Sequence, residues 1–127
     1  MTVTPSRSTA TTLPAPRVSL RLDLPGGARI GPGKVVLLET IASTGSISAA
    51  GRALKMSYRR AWELVEDLNR HLGAPVVTTA AGGSGGGGAR LTPTGAAVVG
   101  SYRAIERAAE AAAQPHLGAL LRAVGDS

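Results

Sequence analysis

The segment from Gly45 to Asn69 constrains the fold of this chain most strongly, because it contains two short helical patterns separated by a tight turn. Ser46 has the position of an N-cap for a first helix that runs to Leu54, and Ser57 has the same position for a second helix after the turn at Lys55-Met56. Small side chains suit a close helix crossing, and apolar anchors hold it. The small residues are Ala49, Ala50 and Ala53, and the anchors are Ile47, Leu54, Ala61, Leu64 and Val65. The segment therefore predicts a helix-turn-helix.

Charge divides the same segment into a basic part and an acidic part. Between Gly45 and Arg60 the sequence has no acidic residue and four cations, which are Arg52, Lys55, Arg59 and Arg60. The acidic residues Glu63, Glu66 and Asp67 follow together. In a chain of net charge +6, this separation indicates a surface that faces a polyanion. Charge alone leaves open the alternative of a solvated basic surface without a partner.

Two elements are expected before this segment. Residues 1–17 are rich in Thr, Ser, Pro and Ala and have no hydrophobic period, so we expect a disordered N-terminal tail. The alternation of apolar and polar residues from Val18 to Leu24 predicts a half-buried strand, which Pro25-Gly26-Gly27 ends. A helix is expected to begin near Pro32-Gly33 and to end at Thr44-Gly45.

A hairpin and a long helix are expected after it. The run Gly82 to Gly88 separates two β-prone stretches, Val76 to Thr79 and Ala89 to Leu91. Thr92 or Thr94 is expected to cap the last helix, which we expect Pro115 to interrupt. The predicted fold class is mainly α with a small β-hairpin. It is a winged helix-turn-helix over residues 18–92, with a C-terminal helical dimerisation segment over residues 93–127.

The dimer prediction rests on the size of the core and on the last helix. Aromatic residues make up 2% of the chain, so its core is built from small side chains that bury little area each. The helix from Thr94 to Ala113 is expected to form the dimer, with help from Val35 to Ile41. Closure of a monomer core is the alternative for this helix. Its expected interaction face is Ala97, Val98, Ile105, Ala108 and Ala112.

Two motifs resemble the DNA-binding domain of the molybdate-responsive ModE family. The first is Gly45-Ser46-Ile47-Ser48-Ala49-Ala50 with Ser57-Tyr58-Arg59-Arg60-Ala61-Trp62 and Asn69, and the second is the glycine-rich run from Gly82 to Thr92 with Gly95. They occur in the order and at the spacing of that family, and the resemblance covers roughly residues 18–113. LysR-type regulators share the helix-turn-helix more loosely.

The resemblance implies a sequence-specific transcriptional regulator that binds double-stranded DNA as a homodimer on a palindromic operator. Arg59 is expected to contact a base, since arginine forms a fork with guanine. Ser57 and Tyr58 are expected to touch phosphate, as is Arg90 at the base of the wing. The full set of expected DNA-binding residues is Ser46, Ser48, Ser57, Tyr58, Arg59, Arg60 and Arg90.

The chain departs from the family in two respects. Ser84 stands at the wing tip, where family members often have a basic residue, so a weaker wing contact or one from Arg90 alone is expected. The molybdate-binding domains of full-length family members have no counterpart in the 127 residues, so we expect no molybdate sensing by this chain. Trp62 is more typical of a packing residue than of a base reader, and we expect it to hold the second helix against the wing.

Other functional classes have little support in the sequence. Without cysteines there are no disulfides or thiolate metal sites, and His71 and His116 have no partner at metal-ligand spacing, so no cofactor, metal or enzyme activity is expected. The glycine run lacks the Lys-Ser or Lys-Thr of a phosphate-binding loop, although a flexible linker is an alternative. No apolar run approaches the ~20 residues that span a bilayer, and a cytoplasmic protein is expected.

Two alternative functions remain for the predicted fold. One is a winged-helix module that binds another protein and not DNA. The other is a nucleoid-type protein that binds DNA without sequence preference. The acid-free, arginine-rich start of the second helix favours DNA over a protein partner.

Overall fold

A computed structural model describes residues 15–80 and 88–125 of the chain. The expected disordered tail lies almost wholly outside the described residues, and so does most of the expected wing tip, including Ser84. The elements in chain order are β1 (Leu22–Asp23), β2 (Arg29–Ile30), α1 (Pro32–Thr44), α2 (Ile47–Ala53), α3 (Tyr58–Leu72), β3 (Val77–Thr79), β4 (Ala89–Leu91) and α4 (Pro93–Gly125). The described part is therefore mainly helical with two short hairpins.

Helix α1 forms the centre of the unit Ser19–Arg107. Helix α1 begins at Pro32, a position where the N–H that proline lacks would have no partner within the helix. It ends at Gly45, which is in a left-handed conformation and whose N–H donates to the carbonyl of Ile41. Its apolar residues do not lie on a single face, because other elements cover the helix on several sides. The core consists mainly of aliphatic and alanine side chains, including Val35, Leu37, Leu38, Ile41, Ala50, Ala61, Val65, Leu68 and Val76.

The first hairpin differs from the predicted strand. Only Leu22 and Asp23 of the expected strand from Val18 to Leu24 are paired, and their partners are Ile30 and Arg29 in antiparallel register. The sequence prediction missed this return strand. Alternation indicates which residues suit a strand, but the partner sets its length, and here the partner ends where α1 begins at Pro32.

The second hairpin confirms the two predicted wing strands. Strands β3 and β4 pair antiparallel, with Val77 opposite Leu91 and Thr79 opposite Ala89. The N–H of Ala89 donates to the carbonyl of Gly45 at 2.8 Å, which joins the wing to the end of α1. The wing is thus attached to the residue that separates α1 from the helix-turn-helix.

Thr92 joins the wing to helix α4. Its Oγ1 accepts from the N–H of Gly95 at 3.0 Å, so Thr92 and not Thr94 is the cap, and its hydroxyl donates to the carbonyl of Pro75 at 2.7 Å. Gly95 lies against Val76 so closely that a Cβ there would overlap the Val76 carbonyl oxygen. The first turn of α4 therefore packs directly on the backbone that leads into β3.

Two side chains of α4 hold the unit together further along the helix. Tyr102 is completely buried, and its hydroxyl donates to the carbonyl of Leu20 at 2.8 Å. Arg103 forms a two-pronged contact with Glu39 of α1, at 3.0 and 2.8 Å, and also donates to Glu106 at 2.7 Å. The hydrogen bond from Arg103 lowers the pKa of Glu39 below its ordinary value.

Helix α4 also corrects a prediction. The sequence predicts that Pro115 interrupts the helix, but the helix continues through Pro115 to Gly125. A proline removes one hydrogen bond of the helix, at a cost of about 3 kcal/mol. Alanine and leucine, which favour helix strongly, are frequent on both sides of Pro115 and offset this cost.

Residues 15–18 and 108–125 are the described part of a second unit. Within it, the N–H of Val18 donates to Glu110 at 2.7 Å, and Gln114 donates to the same carboxylate at 3.1 Å. Leu120 and Leu121 are exposed. Among the described residues, no helix combines the length and the hydropathy needed to cross a membrane.

The close approach of Gly95 to Val76 gives a first prediction. Replacing Gly95 by Ala should destabilise the protein by about 2–4 kcal/mol, because the added methyl group must displace backbone. Gly100→Ala is the matched control in the same helix, since a Cβ at Gly100 meets nothing within 4 Å. That variant should be as stable as the original or gain up to about 1 kcal/mol. Urea unfolding followed by circular dichroism measures both, and equal stabilities would contradict the prediction.

Candidate nucleic-acid interface

Gly51 is the residue at which helices α2 and α3 meet. It is buried, and a Cβ at this position would lie 3.1 Å from the carbonyl oxygen of Met56 and 3.7 Å from the Cβ of Ala61. The N–H of Met56 donates to the carbonyl of Gly51 at 2.9 Å. A Cβ at Gly51 would therefore require the turn at Met56 to shift by a few tenths of an ångström, so the close approach of the two helices favours glycine here.

The small residues predicted for this crossing are only partly correct. Ala50 is buried and Ala49 is half-buried, but Ala53 is exposed and takes no part. Sequence reasoning missed Gly51, although a signal was present. A glycine inside a helix costs about 1 kcal/mol relative to alanine, so its occurrence there indicates a packing requirement.

The turn after α2 is tightened by Lys55. Its φ of 59° lies in the left-handed region, and among the described residues it is the one non-glycine residue with a positive φ. Its N–H donates to the carbonyl of Arg52 at 3.2 Å, and the N–H of Leu54 donates to the carbonyl of Ala50 at 3.0 Å. The chain thus reverses within a few residues and starts α3 directly beside the end of α2.

Serine side chains cap both helices, as predicted. The Oγ of Ser46 accepts from the N–H of Ala49 at 2.8 Å, and the Oγ of Ser57 accepts from the N–H of Arg60 at 3.0 Å. Each cap satisfies a backbone donor that would otherwise have no partner within the helix. The hydroxyl hydrogen of Ser57 is still available to donate, because the cap uses only an acceptor site of the oxygen.

The first turn of α3 presents exposed charged and aromatic side chains. Side chains of Arg59 and Arg60 are 88% and 61% exposed, and Tyr58 is 56% exposed. The Nε of Arg59 lies 3.4 Å from Oε2 of Glu63, one helical turn away. The Nη1 of Arg60 lies 3.9 Å from Oε1 of the same carboxylate. Exposed pairs of this kind contribute about 0–1 kcal/mol, so they give way readily to a stronger anion.

A groove of about 610 Å³ separates this edge from the wing. Ser46, Ser48 and Tyr58 line one side, as does Arg52, whose guanidinium donates to Ser48 at 3.2 Å. Residues of the wing line the other side, namely Thr79, Ala80, Gly88 and Ala89. Arg52 was not among the predicted site residues, although its position in the acid-free stretch was the available signal.

Trp62 and Arg90 occupy different parts of this region. Trp62 lines the groove, is half-buried and packs against the core, as expected of a packing residue. Arg90 is exposed on β4 and lines a neighbouring groove with Gly45 and Thr78. Arg59 and Arg60 line neither groove but project from the same first turn of α3 as Tyr58.

Asn69 connects the end of α3 to the wing. Its Oδ1 accepts from the N–H of Val76 at 2.8 Å, which fixes the chain after the left-handed Gly73. The wing is therefore attached through Ala89 to the backbone of Gly45 and through Val76 to the side chain of Asn69, which stand at the two ends of the helix-turn-helix segment. These two attachments fix the position of the wing relative to the helix-turn-helix, and the groove lies between them.

Residues 33–96 match the model of the bacterial regulatory helix-turn-helix proteins of the lysR family. The matched region begins in α1, includes the whole helix-turn-helix and ends in the first turn of α4. The chain belongs to this family. It carries the helix-turn-helix domain of a family of DNA-binding transcription regulators.

Curated relatives share more of the chain, and the predicted resemblance to ModE is confirmed. The chain is 54% identical over 80 residues to the molybdenum-pterin-binding protein MopB of Rhodobacter capsulatus, covering 63% of this chain and 30% of that protein. It is 38% identical over 90 residues to the molybdenum transport protein ModE of Azotobacter vinelandii, covering 71% of this chain and 33% of that protein. The chain thus spans about a third of the length of the relatives it matches.

A solved structure confirms the fold. The DNA-binding domain of CbnR, determined as a complex with DNA, superposes with a TM-score of 0.54 at 20% identity and covers 69% of this chain and 95% of that one. At this identity the likeness establishes a shared winged helix-turn-helix fold.

The cap at Ser57 gives a second prediction. Ser57→Ala removes the acceptor for the N–H of Arg60 and should cost about 1 kcal/mol of stability, whereas Ser57→Asp retains an acceptor and should cost less. Ser43→Ala is the matched control, since Ser43 is an exposed serine of α1 outside the interface. Thermal melts of the variants measure the difference. A Ser57→Ala variant as stable as Ser43→Ala would show that the cap contributes nothing.

Proposed function

We propose that this chain binds double-stranded DNA in a sequence-specific manner as a homodimer and regulates transcription from a palindromic operator. The single observation that carries the proposal is the first turn of α3, where Tyr58, Arg59 and Arg60 are exposed together at a capped helix N-terminus. Such a turn presents cations and backbone N–H groups in the same direction, which suits a groove flanked by phosphates. Regulation of a bacterial genome places the protein in the cytoplasm.

Arg59 is the residue we assign to base recognition. Among the described residues its guanidinium is held by one exposed pair, with Glu63 at 3.4 Å, so it can form a fork with O6 and N7 of guanine. Ser57 and Tyr58 are assigned to phosphate contacts beside it, together with Arg60. The side chains on the opposite face of α3, Ala61, Val65 and Leu68, are buried and hold the helix in place.

The groove between α3 and the wing is assigned to one strand of the DNA backbone. Ser46 and Ser48 lie on the α2 side of this groove, and their hydroxyls suit phosphate oxygens. Arg90 lies exposed on the wing, and within the described residues its side chain has no hydrogen bond or ion pair. We assign it to a phosphate at the edge of the site.

Helix α4 is assigned to dimerisation. Ala97, Ile105, Ala108 and Ala112 of the predicted face are exposed, and exposed apolar residues on a helix suit burial by a second copy. The predicted help from Val35 to Ile41 is corrected, because Val35, Leu37, Leu38 and Ile41 are completely buried within their own chain. We assign DNA binding and dimerisation to these 127 residues, and we assign no molybdate site to them.

Sequence preference is the first test of this proposal. In fluorescence anisotropy titrations, Arg59→Ala should reduce the preference for a selected operator over a scrambled duplex by about 5- to 150-fold, which corresponds to one lost base contact. Arg90→Ala should weaken binding to both duplexes equally, since phosphates carry no sequence. Equal affinity of the unmodified protein for every duplex would indicate a nucleoid-type binder. If the folded protein binds no duplex at low salt, DNA binding is contradicted and a protein-interaction module is favoured instead.

The dimer has a separate test. Light scattering at tens of micromolar should give twice the chain mass of 12.8 kDa. Ile105→Glu should shift this mass toward the monomer, because it places a charge on the proposed face. Ala96→Glu is the control at an exposed position of the same helix that lies about 150° around the axis from the centre of that face, and it should leave the dimer intact. A monomer mass for the unmodified protein would overturn the dimer.

A further inference from the structure

A second groove lies on the side of α3 that faces away from the wing. Arg60 and Leu64 line it, whereas Tyr58 and Trp62 line the groove toward the wing. The two pairs are offset by two residues, which is about 200° around a helix, so they lie on opposite flanks of α3. We call the second groove the basic groove, because it is lined by four cations, Arg21, Arg29, Lys34 and Arg60.

The remaining lining residues add no opposing charge. They are Gly31, Gly33, Met56 and Leu64, so within the described chain no acidic side chain lines this groove. The β1–β2 hairpin supplies Arg29 and the residue before its first strand, Arg21, while α1 supplies Lys34. Cations from three separate elements thus converge beside the first turn of the helix assigned to base recognition.

The charges of the basic groove are not equally committed. Lys34 donates to the carbonyl of Arg29 at 3.0 Å and to Asp67 at 3.1 Å, so its donors hold the hairpin against α1 and α3. Arg21 is paired with Asp23 at 2.8 Å. Arg29 is exposed, and in the part of the chain that the structure describes its side chain has no hydrogen bond or ion pair. Arg29 can therefore bind a new anion without giving up an existing contact of its side chain.

The hairpin is held firmly enough to present Arg29 in a defined place. The chain leading into β1 is fixed by the hydrogen bond from the buried Tyr102 to Leu20. At the other end, the turn residues Gly26 and Gly27 lie close to His71, so that a Cβ at either would come within 3.2 Å of it. Because the backbone of the hairpin is already fixed, binding through Arg29 needs to order only its side chain.

We propose that the basic groove binds the DNA backbone on the flank of α3 opposite the wing, with Arg29 as a direct phosphate contact. This inference rests on the proposed function and adds a partner surface to it. The wing-side groove and the basic groove then hold phosphates on the two sides of the recognition helix. The hairpin ends at Ile30, before the match to the lysR-family model begins at residue 33.

The salt dependence of binding tests the proposal directly. Anisotropy titrations with the selected operator and a scrambled duplex, repeated over a range of salt, give the slope of log affinity against log salt. Removing one phosphate contact reduces this slope by about one. Arg29→Ala should therefore weaken binding to both duplexes by the same factor and lower the slope by about one. Arg29→Lys should retain the slope, because it keeps the charge.

Arg17→Ala is the matched control, since it removes one exposed cation that lines neither groove. It should leave both affinity and slope unchanged. Phosphate ethylation interference adds a positional readout. Some phosphates reduce binding of the unmodified protein when they are ethylated, and each variant should lose this effect at the phosphate that its replaced arginine contacts. The phosphates identified in this way for Arg29→Ala should lie on the opposite side of the half-site from those identified for Arg90→Ala. A thermal melt of each variant establishes that the fold is retained.

The outcomes separate this inference from the proposed function. If Arg59→Ala loses operator preference while Arg29→Ala binds with unchanged affinity and slope, the basic groove does not contact DNA, and the proposed function stands. A loss of operator preference in Arg29→Ala would also overturn the phosphate assignment, because it would indicate a base contact. Failure of the unmodified folded protein to bind any duplex would overturn both.

Discussion

The backbone contact at Gly51 is the constraint on which the rest of the interface depends. A carbonyl oxygen 3.1 Å from the position of a Cβ permits no side chain larger than hydrogen without movement of the turn. Because α2 approaches α3 this closely, Ser46 and Ser48 lie beside Tyr58 along a single groove. A wider crossing would separate these side chains and would dismantle the surface that both proposals use.

The wing is positioned by its attachments on either side of the helix-turn-helix. The carbonyl of Gly45 accepts from Ala89, and the side chain of Asn69 accepts from Val76. Thr92 and Gly95 then press the start of α4 onto the same backbone. The orientation of the wing therefore follows from the ends of α1 and α3.

The ion pairs at the proposed DNA-binding edge are exposed, whereas the charged contacts that support the fold are more enclosed. The pairs of Glu63 with Arg59 and Arg60 are exposed and weak. Farther from the edge, Asp67 has its pKa lowered, chiefly by the hydrogen bond from Lys34, and Glu39 has its pKa lowered chiefly by the hydrogen bond from Arg103. Because the ionised carboxylates make the stronger contacts in the folded protein, they add to the free energy of unfolding near neutral pH. This added stability declines as the pH falls through their lowered pKa values.

The sequence by itself determined the local features: the periods of the helices, the caps at Ser46 and Ser57, and the acid-free start of α3. Each depends on residues a few positions apart, which is the range of helix geometry and capping. Tertiary structure decided the return strand β2, the role of Gly51, the exposure of Ala53 and the placement of Arg29 beside Arg60. Those features depend on residues that approach one another only after the chain has folded, and no local pattern specifies which backbone will lie opposite.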